Sequence, residues 1–148
     1  MDDKLSRSVT VKLKSVQHSL DDGEKINVSF ECGGSLSNEN GALLLCYDEP
    51  SGGDLTACRV TLAFYPDSVV MKKTGNACCE TRFSGDDCVS VYKTPLGAFN
   101  LKISDTTIKN KMTDSGGTLI LDYISQLAGL DPQRIKMRID VVPKEERP

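Results

Sequence analysis

The chain has 148 residues, a formal net charge of −3 and 39% hydrophobic residues, enough for one domain that hides roughly 70% of its unfolded surface without a disulfide or metal staple. The negative balance argues against general nucleic-acid binding, and the lack of any run of about 18 apolar residues argues against a membrane-spanning helix. The charged start Met1-Asp2-Asp3-Lys4-Leu5-Ser6-Arg7 leads into no signal-type apolar core, which points to the cytoplasm.

Alternation with a period of two runs through most of the chain and predicts strands. Val9, Val11 and Leu13 alternate with Thr10, Lys12 and Lys14 in a first strand, followed by a turn at Asp21-Asp22-Gly23. Ile26, Val28, Phe30 and Cys32 form the apolar row of a second strand, expected to end at Gly33-Gly34. A third starts after Asn38-Glu39-Asn40-Gly41, and its alternate members Leu43, Leu45, Tyr47 and Glu49 share a face. Beyond the turn Pro50-Ser51-Gly52-Gly53-Asp54, the inner row of a fourth strand is Cys58, Val60, Leu62 and Phe64.

Val69, Met71 and Lys73 share a face in the fifth strand, which Gly75-Asn76 ends, and Cys79, Thr81 and Phe83 do so in the sixth. Next, Val89 and Val91 alternate with Cys88, Ser90 and Tyr92, and Phe99, Leu101 and Ile103 with Asn100, Lys102 and Ser104. These two runs meet at Tyr92-Lys93-Thr94-Pro95-Leu96-Gly97. Pro95 cannot donate to a ladder and Gly97 tolerates positive φ, so the hexapeptide reads as a strand junction or bulge.

Beyond Ile108 a polar turn is expected as far as Asp114-Ser115-Gly116-Gly117, and then a strand carrying Leu119, Leu121 and Tyr123. Residues 123–130 also suit a short helix; strand is the assignment adopted. After Asp131-Pro132, a last strand sets Ile135, Met137, Ile139 and Val141 against Arg134, Lys136, Arg138 and Asp140. The prediction is a single all-β domain, an antiparallel meander barrel of about 8–10 strands with its core over about 9–142 and flexible termini at 1–7 and 143–148. Closure would remove exposed edges and lay the last strand beside the first.

Six cysteines, Cys32, Cys46, Cys58, Cys78, Cys79 and Cys88, include no C-x-x-C pair, and His18 is the one histidine. They read as reduced, small, buried or half-buried thiols, and neither a metal site nor a haem ligand set is expected. Cys78 and Cys79, as neighbours in a strand, point to opposite faces. Enzyme readings fare poorly because every Cys-His or Ser-His pair must use His18, beside a turn. Gly33-Gly34-Ser35-Leu36-Ser37 has no strand-to-helix context for a nucleophile elbow, and no glycine pair is followed by the Lys-Ser or Lys-Thr of a phosphate loop.

Six motifs taken together, Phe30-Glu31-Cys32-Gly33-Gly34, Tyr47-Asp48-Glu49, Val69-Val70-Met71-Lys72-Lys73-Thr74-Gly75, Arg82-Phe83, the hexapeptide from Tyr92 to Gly97, and Gly117-Thr118-Leu119-Ile120-Leu121-Asp122-Tyr123, resemble the YwiB-like family. The likeness runs from about Val9 to Val141. It implies a bacterial domain of unknown function whose barrel is similar to the calycins, the group of lipocalins and streptavidin, and it implies no activity. Lys73 stands where that family usually has arginine, which argues against bidentate anion recognition there. Tryptophan is absent, so the G-x-W signature of true lipocalins is missing.

Strand parity supplies two candidate sites. If alternation holds to the strand ends, Glu49 and Lys73 project inward, and with the hydroxyls of Tyr47 and Tyr123 they form a polar anchor for a small, partly apolar ligand whose tail lies on the aliphatic rows. The plainer alternative leaves Glu49 and Lys73 at the rim or neutralising each other. Outside, pairing of the first and last strands would gather Lys12, Lys14, Arg134, Lys136 and Arg138 into a face for an acidic protein or a nucleic-acid backbone. Its plainer alternative is a solvated face near Asp122 and Asp140, and the lack of interleaved aromatics removes base stacking.

Overall fold

A computed structural model describes residues 6–20, 23–49, 58–75 and 77–144. Ten antiparallel strands follow one another in the order β1 (Ser6–Ser19), β2 (Lys25–Glu39), β3 (Ala42–Glu49), β4 (Cys58–Phe64), β5 (Val69–Gly75), β6 (Cys79–Phe83), β7 (Cys88–Thr94), β8 (Gly97–Thr113), β9 (Gly116–Leu127) and β10 (Gln133–Pro143). Among the described residues there is no helix. Residues 123–127, for which a helix was the other option, extend β9.

The spatial order is β6-β5-β4-β3-β2-β1-β10-β9-β8-β7. First and last strands pair as expected, with Val11 facing Val141 and Leu13 facing Ile139. The two outer members, β6 and β7, approach through an isolated bridge between Cys78 and Lys93, whose backbone N–H groups each donate to the other's carbonyl at 2.8 Å. The sheet thereby curls into a nearly closed barrel. Its core is the inward rows that alternation marks out: Val9, Val11 and Leu13; Leu45 and Tyr47; Cys58, Val60, Leu62 and Phe64; Leu119, Leu121 and Tyr123; Ile139 and Val141, all buried.

The structure corrects three local expectations. β2 does not stop at Gly33-Gly34 but runs to Glu39, burying Leu36, and the turn shrinks to Asn40-Gly41, both at positive φ in a two-residue hairpin. β8 does not yield to a polar turn after Ile108. It continues to Thr113, leaving Asp114 and Ser115 as the loop. The hexapeptide is a strand junction, as expected, and takes the form of a hairpin: Thr94 faces Gly97, Pro95 and Leu96 form the loop, and the Leu96 N–H donates to Thr94 Oγ1 at 3.1 Å. Finally, β1 begins at Ser6 and β10 ends at Pro143, so the barrel reaches beyond 9–142 at both ends. The expected turns at Asp21-Asp22 and Pro50–Asp54, the strand end at Asn76 and the tail beyond Lys144 lie outside the described residues.

The glycine pair persists within β2 for a steric reason. A Cβ on Gly34 would lie 2.8 Å from the Cys46 carbonyl oxygen and 3.2 Å from Tyr47 Cβ, so the close approach of β2 to β3 needs a bare backbone there; at Gly33 a Cβ meets nothing within 4 Å. Gly34→Ala is therefore expected to cost about 1–3 kcal/mol, and Gly33→Ala to stay within about 0.5 kcal/mol of the parent. Urea unfolding of the two variants checks this, and equal midpoints would contradict the packing argument.

Candidate functional site

The barrel encloses a cavity of about 330 Å³ to which all ten strands contribute. One cross-strand row in its wall runs Tyr47, Val60, Lys73, Cys79 over β3, β4, β5 and β6. Glu49 is the next inward position of β3, as period-two geometry requires. Lys73 Nζ and Glu49 Oε1 lie 3.5 Å apart, with the side chains 21% and 31% exposed. Both expectations about this pair meet here, because the two groups neutralise each other and also face the lumen. Their partial exposure limits the stabilisation to roughly 1 kcal/mol or less.

Tyr47 and Tyr123 enter the same space from β3 and β9 and are only 3% and 6% exposed. Their rings are packed: Tyr47 tilts against Phe30 at a centroid distance of 6.2 Å and Tyr123 against Phe83 at 4.8 Å. Their hydroxyls, by contrast, form no hydrogen bond with any described residue. Burial raises the pKa of both phenols well above the usual tyrosine value, and Glu49 adds to the effect at Tyr47. Both therefore remain neutral donors and acceptors.

The other polar wall groups were not singled out from the sequence. Ser15 and Gln17 prolong the inward row of Leu13, Ser125 follows Tyr123, and Thr81 and Tyr92 complete the β6 and β7 side. Parity held the signal for each, but a serine or glutamine at the end of an apolar row looks like a strand end. Cys79 also faces the lumen, with its thiol pKa raised by burial and drawn partly back by the Thr81 hydroxyl and Lys73. Burial raises the Cys32 thiol too, helped by Asp48 and Glu49. Among the described residues no three His, Cys, Asp or Glu side chains converge as a metal site.

On the outside, Lys12, Lys14, Arg134, Lys136 and Arg138 do share a face across β1 and β10, as the register requires. Carboxylates interrupt it. Arg134 is bridged to Asp105 and Asp122, Arg138 Nε lies 3.0 Å from Asp140 Oδ2, and Lys12 faces Asp140 on one side and Glu31 on the other. The Arg138 guanidinium, then the Thr118 hydroxyl at 2.7 Å, holds the Asp140 carboxyl below its ordinary pKa against the opposing effect of burial. His18 belongs to this outer surface, facing Arg134 and Lys25.

An unpartnered buried hydroxyl contributes little to folding, so Tyr123→Phe is expected to be as stable as the parent at pH 7, within about 0.5 kcal/mol, or more stable. The parent should weaken as pH rises past about 10, where the unfolded chain releases phenolic protons that the folded chain retains; removing one phenol makes that decline shallower. Urea midpoints at pH 7 and pH 11 test both statements. A loss of more than about 1 kcal/mol at pH 7 would show that the hydroxyl is bonded after all.

Residues 11–139 match the family described as "Domain of unknown function (DUF1934)". Among solved structures, the crystal structure of ywiB protein from Bacillus subtilis is similar at a TM-score of 0.84 and 21% identity, covering 97% of this chain and 96% of that one, a likeness that concerns the fold. No curated protein matches. With nearly the whole barrel inside the matched span, β1 to β10, the chain belongs to the DUF1934 family of YwiB-like domains.

Proposed function

We propose that this protein binds a small, partly apolar molecule inside the barrel and does not transform it, in the manner of the calycin barrels that its architecture resembles. One observation carries this reading: the phenol hydroxyls of Tyr47 and Tyr123 face the lumen and bond no described residue. A packing role alone would be met by phenylalanine, whereas a hydroxyl open to the lumen is free to bond a molecule held there. The aliphatic wall, with Leu13, Val28, Met71 and Leu101, suits the apolar part of such a molecule.

Chemistry on the ligand is disfavoured by the groups at hand. The lumen thiol Cys79 and the two phenols are all held toward their protonated, poorly nucleophilic forms, and the imidazole of His18 sits on the outer surface. The six free thiols fit a reducing cytoplasm.

Native mass spectrometry of protein purified gently from its own host tests the reading. One retained small molecule is expected, and it should be lost from Ser125→Phe, whose ring fills the lumen. A clean apo mass for the parent overturns it.

A second reading, capture of an acidic macromolecule on the outer face, is favoured by one row. There Lys109, Ile120, Arg138 and Lys14 lie side by side over β8, β9, β10 and β1, which sets Lys14 directly against Arg138, itself paired with Asp140. Partner capture should weaken steeply with salt and fall in a Lys136→Glu, Arg138→Glu double variant; unchanged capture excludes the face.

A further inference from the structure

We infer, building on the lumen-binding reading, that the occupant is an electrically neutral amphiphile whose head offers a hydrogen-bond acceptor and a donor on neighbouring atoms, as a primary amide does, and that carboxylates are discriminated against. Among the described residues the charged side chains bordering the lumen are Glu49 and Lys73, one of each sign, so these two balance each other before anything enters. Their separation of 3.5 Å is longer than the 2.7–2.9 Å or so of a tight charge-assisted bond, and both are partly open, so each keeps capacity for a third group. An acceptor can take a proton bond from the Lys73 ammonium while an adjacent N–H donates to the Glu49 carboxylate. Such a head satisfies both ions without separating them.

A carboxylate in the same place brings a second anion against Glu49, and an ammonium brings a second cation against Lys73; between half-buried groups such like charges repel more strongly than in bulk water. A pure hydrocarbon fails for another reason, since it would leave the hydroxyls of Tyr47 and Tyr123 uncompleted. Tyr47 lies in the cross-strand row of Lys73, one strand beyond Val60 and two residues from Glu49, so its phenol opens on the same lumen as the ion pair. Burial keeps that phenol protonated.

Titration calorimetry with octanamide and octanoate, which differ in head charge and little in shape, tests the assignment on the full-length protein at fixed salt. Alkylation of Cys79, mapped by peptide mass, locates the binding, because that half-buried thiol lines the lumen. The parent should bind octanamide at least 10-fold more tightly than octanoate, with Cys79 alkylated about 10-fold more slowly in its presence. Glu49→Gln, which leaves Lys73 without its counter-ion, should bring octanoate to parity or better. Lys73→Met should leave octanoate excluded, and circular dichroism checks that both variants are folded. Octanoate binding as well as octanamide to the parent, with Cys79 protected, overturns the neutral-head assignment and leaves lumen binding standing. Neither compound binding, with Cys79 unprotected, overturns the lumen reading and this inference with it.

Discussion

The pairing of β1 with β10 is the joint on which everything else rests. Eleven facing pairs, from Val9 with Pro143 to Ser19 with Gln133, knit the two ends of the chain together. Remove that ladder and the molecule becomes a six-stranded sheet, β1 to β6, and a four-stranded one, β7 to β10, each with one apolar face in water. With the ladder in place the two sheets share an interior, and Leu13, Ile139, Leu119 and Leu121 are sealed against Leu45 and Leu62 as one core. Alternation then divides every strand into a row that looks inward and a row that meets solvent.

That division was largely legible in the sequence, because apolar residues at every second position admit only one burial pattern. It placed Glu49 in line with Tyr47 and Lys73 in line with Met71, and the structure keeps both inside. Legibility fails where the backbone departs from simple alternation. Between Ser104 and Thr107 the β8 register slips against β9, with Asp105 at φ 52°, and the slip lets Ile103 and Ile108 both face β9 residues of the inner row although an odd number of positions separates them. Gly33-Gly34 misled for a related reason: two glycines resemble punctuation, and only the distance from β2 to the Cys46 carbonyl shows why one of them belongs within a strand. In β7 the greasier row, Val89 and Val91, is the exposed one, while Cys88, Ser90 and Tyr92 turn inward.

The wall chemistry follows from a conflict between packing and polarity. The Tyr123 ring gains its contact with Phe83 whether or not it carries an oxygen, and the same holds for Tyr47 against Phe30. Each oxygen instead adds a polar group that opens on the lumen and bonds no described residue. Glu49 and Lys73 limit their own cost by standing together near solvent. The outer face resolves its charges differently, by distributing Asp105, Asp122 and Asp140 among the cations, so its net field is weaker than its five basic residues suggest.

Cohesion is uneven around the barrel, and the lumen's polar groups are attached unevenly with respect to it. Where β1 meets β10 a long ladder must part before the wall opens. Where β6 meets β7, the closure consists of the short connection after Phe83 and the two backbone hydrogen bonds between Cys78 and Lys93. Ser90, on β7, keeps a buried hydroxyl without a partner among the described residues. Cys79, Thr81 and Phe83 hang from one side of the seam and Tyr92 from the other. Local opening free energy tracks the number of packed and bonded groups that must separate. The segment of wall that carries these side chains is thus the one whose displacement costs least, and the rigid β1–β10 side is the frame against which it moves.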